Sequence, residues 1–288
     1  EENLYGCTVR LFEQVFAKFG VRSEWVDFTS PGACDILAAR KPAMVWLESP
    51  TNPLLKVIDL RKVCAAAAAA DVPVVVDNTF ATALIQRPLQ LGATLSLTST
   101  TKYINGHSDA LGGAVCTDDP IWHQKMVFAQ KALGLQPSPF DCWLITRGIK
   151  TLPLRLKQQI ANAASLADHL VSHARVNWVR YPHRPDHPQQ AVAIQQMSSG
   201  GAMVTIGVEA SRDQAYQLCK ALRWFTMAES LGGVESLICH PATMTHASVS
   251  TEVKEKLGIS DGLIRLSVGC EDVSDLIADL DQALGVLR

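Results

Sequence analysis

Two residues 25 positions apart, Asp77 and Lys102, have the side chains and surroundings on which amine chemistry can be built. Lys102 follows the hydroxyl-rich run Thr98–Thr101 and precedes a glycine-containing turn, and Asp77 ends an apolar run. A lysine can hold an aldehyde cofactor as a Schiff base, and a carboxylate can keep a pyridine nitrogen protonated. The pair therefore predicts pyridoxal 5′-phosphate (PLP) as cofactor, with Ser99 and Thr101 as hydrogen-bond partners of its phosphate.

The elements that must position these residues alternate between helical and strand-like stretches. Helices are predicted over Leu11–Phe19, over Leu60–Ala70 and up to Leu91, and strands over Ala43–Leu47, Val72–Val76, Ala93–Leu97 and Ala110–Cys116. This alternation predicts a mostly parallel sheet flanked by helices. Because such sheets bind ligands beyond the carboxyl ends of their strands, we expect Asn52, Asp77 and Lys102, which follow predicted strands, to converge.

The second half of the chain has a different pattern. A long helical stretch runs from Phe140 to about His173, and we expect Pro153 to kink or break it. Further strands are predicted over Met203–Val208 and Leu263–Val268, and helices over Asp213–Trp224 and Asp272–Leu287. We therefore predict a large domain over residues 1–155 and a smaller α/β domain with an antiparallel sheet over residues 156–288.

Composition limits the classes to which the protein can belong. The 288 residues are 48% hydrophobic and 19% charged, which supports one or two domains with a sizeable core. A net charge of −2 does not indicate the basic surface that binds nucleic acid. No apolar run is long enough for a membrane-spanning helix. The acidic, polar start predicts no signal peptide. Eight scattered cysteines without C-x-x-C spacing predict reduced thiols in a cytoplasmic protein, with no metal site.

Motifs spread over the whole chain resemble those of one known family, in the same order. They are Tyr5–Thr8, Glu48–Pro53, Val75–Phe80, Ser99–Asp109, Arg147–Leu152, Ala228–Leu237, His240–His246 and Leu263–Asp272. Together they make the chain similar to the Cys/Met-metabolism PLP enzymes: cystathionine γ-synthase, cystathionine γ- and β-lyases and methionine γ-lyase.

The resemblance implies the type I fold of PLP-dependent aminotransferases, with a mostly parallel large domain and a smaller α/β C-terminal domain. It also implies a small sulfur amino acid as substrate and a homotetramer built as a dimer of dimers, with active sites at the dimer interface. Family members usually have a longer N-terminal region that helps to hold the cofactor phosphate, and we expect such a region in the full protein.

The same resemblance gives roles to the residues around the cofactor. Lys102 would carry the cofactor and move protons between substrate carbons, and Asp77 would face the ring nitrogen. Tyr5 would stack on the ring and assist the leaving group, and Ser99 and Thr101 would contact the phosphate. A packed aromatic at Tyr5 and ordinary turn hydroxyls at the other two positions are the structural alternatives.

Substrate-binding roles follow in the same way. Arg265 would bind the substrate carboxylate through a bidentate guanidinium, with Asn52 and Ser230 nearby. Glu229 resembles the glutamate of cystathionine γ-lyases and γ-synthases, and its carboxylate could meet the distal ammonium of cystathionine. Cys7 instead resembles methionine γ-lyase, although a small buried filler is an equally simple explanation.

These residues favour γ-elimination on cystathionine or a related sulfur amino acid. γ-Replacement on O-acylhomoserine with a thiol, and a methionine γ-lyase activity, remain alternatives. An aminotransferase on the same scaffold and a PLP-free structural paralogue are two further hypotheses. The intact set of Asp77, Lys102 and Arg265 argues against the last of these.

Overall fold

The computed structural model describes residues 1–247 and 251–287, and it contains two β-sheets with helices around them. The strands are β1 (Val45–Glu48), β2 (Val74–Asp77), β3 (Leu95–Ser99), β4 (Gly113–Cys116), β5 (Val176–Arg180), β6 (Met203–Val208), β7 (Thr226–Met227), β8 (Leu237–Cys239) and β9 (Leu263–Ser267). The α-helices are α1 (Gly6–Arg10), α2 (Asp35–Arg40), α3 (Leu60–Ala69), α4 (Thr82–Ile85), α5 (Pro120–Leu133), α6 (Pro139–Gly148), α7 (Leu152–Val171), α8 (Gln190–Gln196), α9 (Arg212–Ala221), α10 (Thr251–Lys256) and α11 (Val273–Leu284). Shorter 3₁₀ or π segments cover Leu11–Val15, Phe16–Phe19, Pro88–Leu91, Thr100–Ile104 and Ile149–Thr151.

The first sheet has the order β1-β2-β3-β4, with β1, β2 and β3 parallel and β4 antiparallel to β3. Its register places Glu48 opposite Asp77. Because the parallel strands all end at the same edge, the residues that terminate them meet there. The prediction of a mostly parallel sheet is confirmed.

The second sheet has the order β5-β6-β9-β8-β7 and is antiparallel except for the β7–β8 pair. Every residue of β6 and β9 is buried, and α7 packs against β5, β6 and α11. The sheet therefore forms the interior of the second half. This mixed α/β architecture agrees with the expected fold class.

The two halves share one hydrophobic core. Leu55, Phe80 and Tyr103 from the first half belong to the same buried cluster as Leu156 and Ile264 from the second. A separate cluster lies between β1, β2 and the apolar face of α3. The predicted domain boundary between residues 155 and 156 falls inside α7, and it stays a prediction.

Several predicted elements differ from the observed ones for local reasons. The helical segment predicted over Leu11–Phe19 starts earlier, at Gly6, and ends at Gly20, whose φ of +82° suits a glycine. The stretch from Phe140 to His173 is two helices, because Pro153 lies in the first turn of α7, where a missing N–H costs nothing. Among the described residues, no helix is long and apolar enough to cross a membrane.

Candidate active site

Lys102 lies in an irregular turn directly after β3. Its φ of −91° and ψ of −127° interrupt the segment Thr100–Ile104. Its Nζ donates a hydrogen bond to Ser230 Oγ at 3.0 Å. Burial, and then the positive charge of Arg265, lower the pKa of Lys102. The lysine is therefore more often neutral, and more nucleophilic, than a surface lysine.

Two carboxyl groups, those of Glu48 and Asp77, end the neighbouring strands β1 and β2. Asp77 Oδ1 accepts hydrogen bonds from the N–H of Thr79 at 2.9 Å and from its hydroxyl at 2.6 Å. Burial raises the pKa of Asp77 although these bonds lower it. Burial, and then the negative charge of Asp77, raise the pKa of Glu48 well above its usual value. Glu48 is thus easier to protonate than an exposed glutamate.

Tyr5 is attached to this edge through its backbone. Its N–H donates to Glu48 Oε2 at 2.8 Å, and its side chain stays 41% exposed. A hydrogen bond with Cys7, followed by burial, raises the pKa of Tyr5 to about 12. Burial would raise the pKa of Cys7, but hydrogen bonds with Tyr5 and with Arg10, whose Nη2 lies 2.8 Å from the sulfur, lower it. Tyr5 therefore keeps its proton at neutral pH.

Arg265 lies in the middle of β9 and is 1% exposed. Its Nη1 donates to Asn52 Oδ1 at 2.9 Å, and its Nη2 donates to the carbonyls of Glu229 at 3.0 Å and Ser230 at 3.2 Å. Its Nε is buried and has no partner in the described part of the chain. A buried guanidinium with a free donor is a natural binding group for a carboxylate.

The hydroxyls of Ser99 and Thr101, the two predicted phosphate contacts, differ in their hydrogen bonds. The backbone N–H of Ser99 donates to Thr79 Oγ1 at 2.8 Å, while no described residue bonds the Ser99 hydroxyl. The hydroxyl of Thr101 accepts from the N–H of Gly112 at 3.0 Å and donates to its carbonyl at 3.3 Å. Ser99 is therefore free to bind a ligand, whereas Thr101 already holds the turn together.

The predicted residues come together from both halves of the chain. Lys102, Ser230, Arg265 and Asn52 form a continuous series of contacts. Asp77 is joined to them through Thr79, whose hydroxyl donates to Asp77 Oδ1 and accepts from the N–H of Ser99, three residues before Lys102.

Glu48 is a residue of this site that was not predicted. The sequence contains a signal for it, since Glu48 follows the predicted strand Ala43–Leu47 just as Asp77 follows Val72–Val76. In the structure both residues are the last of their strands.

The site combines a lysine of lowered pKa and an aspartate, both at the carboxyl ends of parallel strands, with a buried arginine from the second sheet. This combination is typical of a PLP-dependent enzyme. The sequence profile of the Cys/Met metabolism PLP-dependent enzymes matches residues 1–285, and the chain belongs to this family.

Relatives within the family differ in the reaction for which they are named. A cystathionine γ-lyase of Dictyostelium discoideum is 45% identical over 283 residues, which are 98% of this chain and 73% of the relative. A cystathionine β-lyase of Coxiella burnetii is 44% identical, over 98% of this chain and 74% of the relative. The solved cystathionine γ-synthase of Xanthomonas oryzae pv. oryzae, in complex with aminoacrylate and cysteine, has a TM-score of 0.95 and 46% identity, over 99% of this chain and 74% of that one.

Pyridoxal 5′-phosphate is the cofactor of this enzyme, and the residues present fit it. Asp77 Oδ2 bonds no described residue and suits a protonated ring nitrogen. Lys102 suits covalent attachment, because its ammonium form is disfavoured. The unpaired hydroxyl of Ser99 suits a phosphate oxygen. The observations therefore agree with the chemistry of the group.

Proposed function

We propose that this enzyme catalyses γ-elimination on cystathionine or a related sulfur amino acid. The observation that carries the proposal is the position of Glu229: its carbonyl accepts from Arg265 Nη2 at 3.0 Å, and the next residue, Ser230, accepts from Lys102 Nζ at 3.0 Å. A carboxylate there would attract the distal ammonium group of cystathionine, which methionine lacks. γ-Replacement on O-acylhomoserine with a thiol uses the same residues and is the second candidate.

The proton affinities of Lys102 and Tyr5 support complementary tasks. When bound, PLP withdraws electrons from the carbons next to the substrate amine, so their protons become removable. A neutral Lys102 Nζ, oriented by Ser230 Oγ at 3.0 Å, would take those protons. Tyr5, which remains a phenol at neutral pH, would give a proton to the departing thiolate.

Arg265 would fix the other end of the substrate. Two of its nitrogens are held by Asn52 and by backbone carbonyls, so the guanidinium is fixed in place while its Nε–H lacks a partner among the described residues. A substrate carboxylate bound there would lie between Asn52 and Ser230. This arrangement would present the α-carbon to Lys102.

Product analysis distinguishes the candidate reactions. The enzyme is incubated separately with cystathionine, with methionine, and with O-acylhomoserine plus cysteine, and the products are identified by mass spectrometry. We expect 2-oxobutanoate, ammonia and cysteine from cystathionine. Pyruvate from cystathionine would contradict γ-cleavage, and faster formation of cystathionine from the acylhomoserine would favour γ-replacement.

The role of Glu229 is tested with Glu229→Ala. We expect kcat/KM for cystathionine to fall about tenfold or more, the usual result of losing a charge-assisted contact, with a smaller loss for methionine. Glu209→Ala, which removes an exposed carboxylate directly after β6, is the control and should retain both activities. Equal losses for the two substrates in Glu229→Ala would remove the basis for the substrate assignment.

We further propose that the enzyme is a homo-oligomer, with the homotetramer implied by the family resemblance as the expected form. Helix α5 has no buried residue, and apolar side chains are exposed along α5, α6 and their connection. We call this the apolar face; its members are Ile121, Phe128, Leu133, Leu135, Phe140 and Trp143. A helix without a buried side is stable when another surface covers it, and a second copy of the chain is the partner that family membership supports. The cytoplasmic location stays a prediction.

A further inference from the structure

Helix α7 carries a stripe of polar side chains on its buried side. Arg155, Gln159 and Asn162 are spaced four and three residues apart, so they lie on one face of the helix. They are 7%, 0% and 2% exposed, respectively. Buried polar groups on an otherwise apolar helix face are costly unless each one has a partner. We call these three residues the polar stripe.

Arg155 holds the end of the turn that contains Lys102. We call residues 100–106 the lysine turn. Arg155 Nη2 donates to the carbonyl of Tyr103 at 3.0 Å and lies 3.3 Å from that of Ile104. The same nitrogen donates to the carbonyl of Gly148 at 3.0 Å, and Nε donates to Thr151 Oγ1 at 3.0 Å. Arg155 makes no ion pair with any described residue. Its charge is therefore stabilised mainly by carbonyl dipoles at the end of the lysine turn.

Glycines allow this close contact. A Cβ at Gly106 would lie 2.0 Å from Arg155 Nη1, and a Cβ at Gly148 would lie 2.2 Å from the carbonyl oxygen of Asn105. Neither distance is compatible with a side chain. The lysine turn therefore packs closely against the side chain of Arg155 in α7 and against the backbone at the end of α6.

The other two members of the stripe hold the segments that carry the substrate-facing residues. Gln159 Nε2 donates to the carbonyl of Gly233 at 2.7 Å, three residues after Ser230. Asn162 Nδ2 donates to the carbonyls of Gly269 at 3.0 Å and Glu271 at 2.8 Å, just beyond β9. One helix face therefore contacts the segments that bear Lys102, Ser230 and Arg265.

We propose that the polar stripe of α7 positions Lys102, Ser230 and Arg265 relative to one another. The three residues touch neither substrate nor cofactor and act through the backbone that they hold. The inference rests on the site assignment proposed above, but not on the choice between γ-elimination and γ-replacement. Arg155 sets the lysine turn, and Gln159 sets the loop that carries Ser230.

The first test replaces Arg155 with methionine in the PLP-loaded enzyme. Without the guanidinium, amides of the lysine turn such as Gly106, which donates to the Lys102 carbonyl at 2.7 Å, should exchange with deuterium about tenfold faster. The pH at which the absorbance of the bound cofactor changes should shift, because Lys102 would leave its place beside Ser230. Exchange in β5 and β6 should stay as in the wild type. Arg155→Lys should restore part of both effects, since it retains one charged donor.

Lys157→Met is the matched control. It removes a positive charge from an exposed position of the same helix, so it should change neither the exchange of the lysine turn nor the absorbance titration. If Arg155→Met lowers the melting temperature but leaves both of these readouts unchanged, Arg155 only supports the fold and the proposal is wrong. These readouts do not depend on which sulfur compound is the substrate, whereas failure of the proposed function would appear only in the products.

Gln159→Met keeps the proposal testable if Arg155→Met does not fold. Gln159 Oε1 has no partner among the described residues, so methionine removes one unsatisfied acceptor but also leaves the Gly233 carbonyl without its donor. We expect a smaller drop in melting temperature than for Arg155→Met, which removes a guanidinium bonded to several groups. We expect faster exchange around Val234 and a several-fold higher KM with nearly unchanged kcat. An unchanged KM together with unchanged exchange would overturn the role of Gln159.

Discussion

Glu48 shows how one buried side chain can serve two parts of the site. It accepts a hydrogen bond from the N–H of Tyr5 and lies opposite Asp77 in the sheet register. Burial and the charge of Asp77 raise the pKa of Glu48 well above its usual value. A proton on Glu48 would leave the negative charge of the pair on Asp77, where the proposed assignment needs it for a protonated ring nitrogen.

Glu48→Gln should reduce the loss of stability on raising the pH. In the wild type, the unfolded chain releases the Glu48 proton above about pH 4.5, while the folded protein keeps it until its higher pKa is reached. Since the unfolded state then binds fewer protons, stability falls as the pH rises between the two pKa values, by at most about 1.4 kcal/mol per pH unit. The amide has no such proton, yet its carbonyl can still accept from Tyr5. Melting temperatures measured from pH 5 to pH 8 should therefore decline less steeply in the variant.

The exposed carboxylate Glu13 provides the comparison for this experiment. Glu13→Gln should decline with pH as the wild type does. A Glu48→Gln profile that runs parallel to the wild type would show that Glu48 is ionised in the folded protein.

At the scale of elements, the site depends on a tight crossing between the lysine turn and the loop that carries Ser230. Gly232 in that loop has a φ of +79°, and a Cβ there would lie 2.7 Å from the backbone nitrogen of Tyr103 and 3.1 Å from the carbonyl carbon of Lys102. Gly201 has a φ of +83° but open space around the position of a Cβ. The two glycines differ in crowding and hardly at all in conformation.

Gly232→Ala should damage the enzyme more than Gly201→Ala does. Both alanines adopt a left-handed conformation at a cost of about 1 kcal/mol. Gly232→Ala also displaces the backbone of Lys102, so we expect a further loss of about 2 kcal/mol and weaker retention of the cofactor. Melting temperature and cofactor absorbance after dialysis measure the two effects. Equal behaviour of the two variants would mean that the crossing adjusts freely.

The elements that the sequence predicted are those with a strong local pattern. The β-branched run of β2 and the alternation in β6 are examples, as is the amphipathic pattern of α11. Strand β7 has two residues and no local signal of its own, because it exists only through pairing with β8. The polar stripe has no local signal in the sequence, because its three polar residues resemble the exposed positions of an amphipathic helix.

The residues of the candidate site could be proposed from the sequence, but their contacts could not. Asp77, Lys102 and Arg265 could be chosen from residue type and motif. That the Arg265 guanidinium meets Asn52, or that Lys102 Nζ meets Ser230, depends on how two sheets pack, which no local pattern encodes. The same holds for the raised pKa of Glu48, which needs both burial and a neighbour.

At the scale of the whole molecule, the apolar face is the surface most in need of a partner. Phe128 is 73% exposed and Leu133 is 69% exposed, which is unusual for side chains of this size. Phe128→Asp should place a charge in the interface between copies of the chain. We expect a smaller particle in light scattering coupled to size-exclusion chromatography.

Trp224→Asp is the control for this change, because Trp224 is a 52% exposed aromatic residue outside the apolar face. It should leave the particle mass unchanged. A wild-type protein of monomeric mass would contradict the proposed oligomer directly, and a Phe128→Asp variant of wild-type mass would place the interface elsewhere.

The hydrogen bond between Arg265 and Asn52 also bears on how the protein is made. It joins residues 213 positions apart, and the bond between Lys102 and Ser230 joins residues 128 apart. Closing such long loops costs entropy, so contacts of this kind form late in folding. During synthesis, Asp77 and Lys102 leave the ribosome well before β9 does. On the proposed assignment, the carboxylate-binding Arg265 reaches the lysine turn only when β9 is in place, so we expect substrate binding to appear at a late stage of folding.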